Sequence, residues 1–216
     1  MWLLSYPNVR VQFQSAWGLA NIALLDNESR VKINNAGGTK TIFEWYTDME
    51  SIVQLEVLAA MANLTLSEDV SEDMVMRYKC IPFFIDLILS NKLKHSQFAC
   101  IAIGNLSRKE YFRLIIRKSG GLLALVQAIL SHDYEKKRHG CRALANMALS
   151  ASNEIAVVFQ TEGLINVIIK MALRHEVETE REVMALLRNL SCYDCLKHLL
   201  HASNIMEVIN QSQVLL

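Results

Sequence analysis

Apolar residues recur along the chain at steps of three, and the same stretch of pattern returns at a nearly fixed interval. Ala16, Leu19 and Ile22 form one such set. Leu58, Met61 and Leu64 form the next, followed by Cys100, Ile103 and Leu106, by Cys141, Leu144 and Met147, and by Met184, Leu187 and Leu190. At 100° per residue, each set falls on one side of a helix. Each set frames an asparagine: Asn21, Asn63, Asn105, Asn146 and Asn189, separated by 42, 42, 41 and 43 residues. The pattern predicts five long helices. Their apolar side packs inward, and their asparagine side is exposed and lines up from repeat to repeat.

A second landmark precedes each asparagine from the second onward: Gly37-Gly38, Cys80-Ile81, Gly120-Gly121 and Glu162-Gly163. Glycine there suits a sharp turn between two helices. A short helix precedes it (Ser29–Asn34, Phe112–Arg117, Ile155–Gln160) and an apolar helix follows it (Leu122–Leu130, Leu164–Leu173). Three helices in about 42 residues is the armadillo plan, where two would be the HEAT plan. The expected fold is all-α, a right-handed armadillo-repeat superhelix (an α-solenoid). It is a single domain over 1–216 with approximate repeats 1–26 (partial), 27–67, 68–108, 109–150, 151–192 and 193–216 (partial). The stretch from Val11 to Asn21, with its Trp17-x-x-x-Asn21 pair, resembles the third helix of the armadillo-repeat family, shared by importin-alpha, beta-catenin and many adaptors. That resemblance implies a concave peptide-binding groove and no reaction.

Both ends read as incomplete repeats. Met1–Tyr6 matches only the end of a second helix, which leaves Trp2, Leu3 and Leu4 without a covering neighbour. An uncovered solenoid end is sticky, so self-association through it is expected, and the natural protein is expected to begin earlier. Asn204–Leu216 reads as a second-type helix capping the other end.

Composition agrees with a packed helical protein. Of 216 residues, 52% are hydrophobic and 20% charged, with 2 prolines, which excludes disorder as the main state. Twenty-two basic residues balance 22 acidic ones, so nothing global announces nucleic acid. Five cysteines make no even disulfide framework and point to a reducing, cytoplasmic setting. No apolar run is long enough to span a bilayer. The zero net charge hides a local pattern. From Thr41 to Met76 there are eight acids and no Lys or Arg, whereas from Lys92 to Arg142 there are eleven bases and three acids.

The partner-binding candidates are Trp17, Asn21, Asn63, Phe98, Asn105, His139, Arg142, Asn146 and Asn189, with Arg138, Arg181 and Arg188 on a shoulder of the groove. A side-chain amide offers two donors and an acceptor, so a row of asparagines can hold an extended peptide by its backbone. The alternative is that the asparagines bond between neighbouring repeats and only shape the stack. Trp17 occupies the position at which importin-alpha carries tryptophan slots, but its equivalents are Ala59, Ile101, Arg142 and Ala185, so the array stops after the first repeat. Gln14, Glu56, Phe98, His139 and Glu182 stand seven residues before the asparagines and make a mixed groove. An acidic or amphipathic segment fits its fourth and fifth repeats better than a lysine-rich one. Cys192, Cys195, His198 and His201 are spaced around one helix and do not converge as zinc ligands do. No metal, cofactor or catalytic residue is expected. Cys100 and Cys141 sit at core positions. The sequons at Asn63, Asn105 and Asn189 are products of the repeat.

The functional expectation is therefore a non-enzymatic scaffold binding peptide or helical segments of other proteins, with no nucleic acid. An importin-alpha-like nuclear transport receptor and a regulatory domain of a larger enzyme are the alternatives. A compact chain of about five repeats also resembles the armadillo-repeats-only family of apicomplexan parasites. This resemblance implies an adaptor on the cytosolic face of a secretory organelle, the rhoptry. Such an adaptor recruits a myosin motor and an adenylate cyclase and is held to the membrane through a lipid anchor outside this chain.

Overall fold

The computed structural model describes residues 2–150, 152–160, 164–173, 177–201 and 205, and the described residues are helical with no strand. A 3₁₀ turn at Trp2–Ser5 leads into α1 (Val9–Leu25), α2 (Asn27–Asn35) and α3 (Gly38–Trp45). A second 3₁₀ turn, Tyr46–Asp48, precedes α4 (Ser51–Leu64). Then follow α5 (Glu68–Met76), α6 (Cys80–Leu89), α7 (Leu93–Leu106), α8 (Glu110–Lys118), α9 (Gly121–Leu130) and α10 (Tyr134–Met147). The last are α11 (Asn153–Gln160), α12 (Leu164–Leu173), α13 (Val177–Leu190) and α14 (Asp194–His201). The chain groups into two compact units, Met1–Leu106 and Ser107–Leu216.

In the first unit α1 packs on α4 and α4 on α7, while in the second α10 packs on α13. These are the five helices marked by the asparagines. Leu58, Met61, Leu64, Cys100, Ile103, Cys141, Leu144, Met147, Leu187 and Leu190 are all fully buried, so the inward side follows the three-residue step. Ile22 departs from it at 48% exposed and lines a cleft of about 250 Å³ with Leu3, Leu4, Gly18 and Leu19. Leu4 corrects the expectation of an uncovered end. It is 2% exposed because the 3₁₀ turn folds back onto α1. Leu3 is 38% exposed. The side chain of Trp2, the landmark Glu162-Gly163 and the proposed helix Asn204–Leu216, apart from the buried Ile205, lie outside the described residues.

The turns before α3, α6 and α9 are left-handed, as the glycines imply. Gly37 has φ 78° and Gly120 φ 80°. Lys79 takes the same place in the intervening repeat, 26 residues before Asn105, with φ 50°. A side chain in this region costs about 1–2 kcal/mol. A Cβ at Gly37 or Gly120 would meet nothing within 4 Å, so the constraint is the backbone angle alone. Lys79→Gly is therefore expected to raise stability by about 0.5–1 kcal/mol, the strain relief exceeding the extra unfolded-state entropy of glycine. Gly120→Ala should lower it by a similar amount. Urea midpoints of the two variants measure both, and a destabilised Lys79→Gly would contradict the reading.

The ends of four long helices are closed by one device built from different side chains. The carbonyl two residues after the asparagine always accepts a side-chain hydrogen bond. Arg30 Nε donates to Ala23 O at 2.7 Å, Ser71 Oγ to Thr65 O at 3.0 Å, Arg113 Nη1 to Ser107 O at 3.2 Å, and Tyr193 Oη to Ala148 O at 3.0 Å. Helix C-termini leave their last carbonyls without intrahelical donors, and here the following segment or the next repeat supplies them. Arg113 is the most heavily used. It is 8% exposed, and it also donates from Nε to Ser150 Oγ at 2.7 Å and from Nη1 to Arg108 O at 3.2 Å.

Candidate functional site

The asparagines do not form a uniform exposed row, which corrects the sequence expectation. Asn21 is exposed, Asn63, Asn146 and Asn189 are half-buried, and Asn105 is buried at 9%. Three of the amides reach to the preceding long helix. Asn63 Nδ2 donates to Ala20 O at 2.9 Å, Asn105 Nδ2 to Ala62 O at 3.0 Å, and Asn189 Nδ2 to Ala145 O at 2.7 Å. The acceptor is each time the residue just before the previous asparagine. Ala62 and Ala145 lie in the last turns of α4 and α10, where carbonyls lack helical donors. Asn105 Nδ2 also lies 3.1 Å from Thr65 Oγ1. An amide has two donor hydrogens and an acceptor oxygen, so the inter-repeat bond uses part of its capacity and aligns the rest.

Beside them, in the first unit, α1 presents Gln14, Trp17 and Asn21 to solvent, with Trp17 52% exposed. Helix α4 adds the half-buried Glu56, Ala59 and Asn63, and α7 the half-buried Phe98 and Ile101. The single indole of Trp17 thus stands on an accessible face next to positions held by small or acidic side chains.

In the second unit the face is charged. Arg138 Nη2 donates to Glu135 Oε2 at 2.8 Å, and His139 Nε2 lies 3.3 Å from the same oxygen. The bond to Glu135 holds the Arg138 guanidinium even more firmly protonated than usual. Burial, and then the neighbouring Arg138 and Arg142, push His139 down to about 4. Its contact with Glu135 at neutral pH is therefore made by an uncharged imidazole and is not an ion pair. Arg142 is lowered by burial, opposed by Glu182 and reinforced by Arg138 and Arg108. Arg181 is exposed, and Arg188 is half-buried.

His139 predicts an acid sensitivity. Its folded pKa lies below the ordinary 6.5, so between about 6.5 and 4 the unfolded chain binds the proton that the folded chain excludes, and stability falls as pH drops through that window. The loss between pH 7 and 5 is expected to be about 2 kcal/mol. Buried His95, also lowered by desolvation, adds in the same direction. Urea unfolding of His139→Gln at the two pH values should show a shallower loss than the parent, and an equal loss would contradict the assignment.

Cys192, Cys195, His198 and His201 are all exposed, at a turn and along α14. No group of three or more potential metal ligands comes together among the described residues. Cys80 and Cys141 are buried, and burial pushes both thiols up to about 12. Cys100 is buried as well. Among the described residues no single helix is long and apolar enough to cross a membrane.

The backbone superposes on solved structures. An engineered protein matches with TM-score 0.83 and 24% identity over 97% of this chain and 85% of its own. A designed armadillo repeat protein matches with TM-score 0.83 and 18% identity over 94% of this chain and 86% of its own. The chain has the armadillo-repeat fold. A further designed armadillo repeat protein, solved in complex with the peptide (KR)4, matches with TM-score 0.75 and 21% identity over 87% of this chain and 79% of its own. No protein-family model and no curated protein sequence matches. With the armadillo frame in place, α1, α4, α7, α10 and α13 are the third helices of successive repeats, and the candidate residues share the faces of these helices within each unit.

Proposed function

We propose that the chain is a non-enzymatic armadillo scaffold that binds segments of partner proteins on its third-helix faces. The observation that carries this reading is the register of those helices. The inter-repeat amide bonds tie α4 to α1 and α7 to α4 in the first unit and α13 to α10 in the second, and the positions four and seven residues before Asn63, Asn105 and Asn189 are half-buried, open in part to solvent. That a designed armadillo repeat protein of this fold carries a bound peptide supports it. An extended segment rises about 3.3 Å per residue and helices pack roughly 10 Å apart, so about three partner residues would span each repeat. Trp17, Asn21, Asn63, Phe98 and Asn105 would serve in the first unit, and His139, Arg142, Asn146 and Asn189 in the second.

The test uses a peptide selected from a random display library on the intact chain. Ala59→Arg and Ala185→Arg place bulk on the third-helix faces, and each should weaken binding of a peptide selected for its unit at least tenfold. Glu44→Arg and Lys118→Glu, on α3 and α8, should leave it unchanged. The reverse pattern would overturn the reading.

The finer reading is a cytoplasmic adaptor on an organelle membrane, the rhoptry, that recruits a myosin motor and an adenylate cyclase. It rests on the number of repeats alone. Co-purification of either protein with the chain would support it, and their absence from the eluate would remove it. Self-association through the apolar surface around Leu3, Trp17 and Ile22 is tested by sedimentation over a range of concentrations, where a constant monomer mass would dismiss it.

A further inference from the structure

The side on which a long helix receives its predecessor is marked by the asparagine amides. Asn63 on α4 reaches back to Ala20 of α1, Asn105 on α7 to Ala62 of α4, and Asn189 on α13 to Ala145 of α10. At 100° per residue, the positions three before and one after the asparagine lie within about 100° of it, on one side. On α4, α7 and α13 these positions are Ala60 and Leu64, Ala102 and Leu106, and Leu186 and Leu190, and none is more than 1% exposed. On α1 the same positions are Gly18 and Ile22, and both are open. Ile22 is 48% exposed, a Cβ at Gly18 would meet nothing within 4 Å, and Leu25, one turn beyond Asn21, is 72% exposed. The first 3₁₀ turn borders this strip and leaves a cleft of about 250 Å³ among Leu3, Ser15, Gly18 and Ile22. Asn21 is exposed too, and its side chain makes no hydrogen bond among the described residues. Helix α1 thus offers the parts of the inter-repeat contact, an apolar strip, a close-approach position and an amide, with no long helix on them among the described residues.

We propose that this face of α1 docks a helix of another polypeptide side by side, with Asn21 donating to a carbonyl in the last turn of that helix. The same contact is already made inside the chain, so the chemistry of the occupant follows from it. The accepting residue is Ala20, Ala62 or Ala145, and the residue three later, Ala23, Thr65 or Ala148, is small and buried as well. One turn before the acceptor stand Ala16, Leu58 and Cys141, all fully buried. The docked helix therefore carries a small residue, two others and a second small residue in its last turn, with an apolar residue one turn earlier. Small side chains at the contact bring the two axes close enough for a side-chain amide to reach the facing backbone. A second copy of this chain supplies no such helix. Ala20, Ala62 and Ala145 are already buried, as is Gly104, their equivalent on α7. On α13 the equivalent residue is Arg188, whose long side chain stands where the others have a methyl group or a hydrogen. This contact goes beyond the scaffold reading above, because it uses one side of α1 alone.

The experiment measures, by fluorescence polarisation on the intact chain, the binding of a labelled, lactam-stapled helical peptide with the sequence of residues 51–66, which carries Ala62 and Thr65 in its last turn. Saturable binding of one peptide per chain is expected. Gly18→Arg on the chain fills the open position, and Ala62→Arg in the peptide reproduces the α13 pattern; each should weaken binding about tenfold or more. Asn21→Ala should weaken it by about two- to tenfold, the loss of one hydrogen bond. Arginine is a better helix former than glycine, so Gly18→Arg should keep the parent's circular dichroism, which also checks that both peptides are helical. Absence of saturable binding, or binding that Gly18→Arg leaves unchanged, would overturn the proposal. A dimer of the chain without peptide, abolished by Gly18→Arg in sedimentation, would overturn the choice of occupant and give the face to a second copy. A groove peptide selected for the second unit should bind Gly18→Arg as it binds the parent, so this proposal and the scaffold reading fail separately.

Discussion

Replacing Arg113 by Met is expected to destabilise the protein by about 3 kcal/mol, more than any other single change considered. The side chain is 8% exposed and joins three acceptors: Ser150 Oγ, Ser107 O and Arg108 O. Hydrogen bonds to charged groups are each worth about 1.5–3 kcal/mol, and the carbonyls left behind lose their donor. Methionine keeps much of the apolar stem's packing, so the cost isolates the polar head. For a chain of this size the melting temperature should fall by roughly 6–12 °C. Arg113→Lys should recover only part of it, because a compact ammonium cannot hold a planar fork's three partners. Arg30 is the control. It makes the equivalent bonds to Ala23 O and Leu24 O at a more open site, and Arg30→Met should cost about 1 kcal/mol. Equal effects at the two sites would show that burial is not what makes Arg113 important.

The second large effect is at Asn105. Asn105→Ala removes donors to Ala62 O and Thr65 Oγ1 at a buried site, for an expected loss of about 2 kcal/mol. Asn21→Ala, at an exposed amide, should change stability by less than about 0.5 kcal/mol. The same two substitutions separate two roles that the repeat pattern superimposes. An asparagine that only aligns the stack loses stability when replaced, whereas one that also holds a partner loses affinity at unchanged stability. Thermal unfolding and peptide affinity, measured on both variants, read the two separately.

The repeat itself was readable without coordinates because it rests on one residue type at one interval. Asparagines 41–43 residues apart, with apolar residues at steps of three around them, leave little choice of helix face. The short helices found at Asn27–Asn35, Glu110–Lys118 and Asn153–Gln160 enclose the stretches read from the pattern. The helix-closing bonds escaped that reading because the carbonyl position is constant while its donor is an arginine, a serine, an arginine and a tyrosine. Repetition of function without repetition of residue leaves no periodic signal. Lys79 escaped for a related reason: the chain needs a left-handed residue there, and the sequence supplies no glycine. The depth of Asn105 is a tertiary property. Its burial depends on how closely the end of α4 approaches α7, and the wheel, which treats each helix alone, carries no information on that distance.

On the faces the division is similar. Trp17 with Asn21, and Arg138 with Arg142, share a face by their four-residue spacing alone. That His139 is uncharged, and that Arg138 is tied to Glu135, depends on burial and on distances of 2.8–3.3 Å that only the packed structure supplies.

The most direct measurement of the central claim is a nuclear magnetic resonance titration of the isotopically labelled chain with a selected peptide, following the side-chain amide resonances of its asparagines. The account predicts that the amides of Asn146 and Asn189, or of Asn21 and Asn63 for a peptide selected by the first unit, shift together with the backbone of the third helices that carry them. Those of Asn27 on α2 and Asn153 on α11 should stay in place. Shifts confined to α2, α3, α5, α6, α8, α9, α11 and α12, with the third-helix asparagines unmoved, would contradict it.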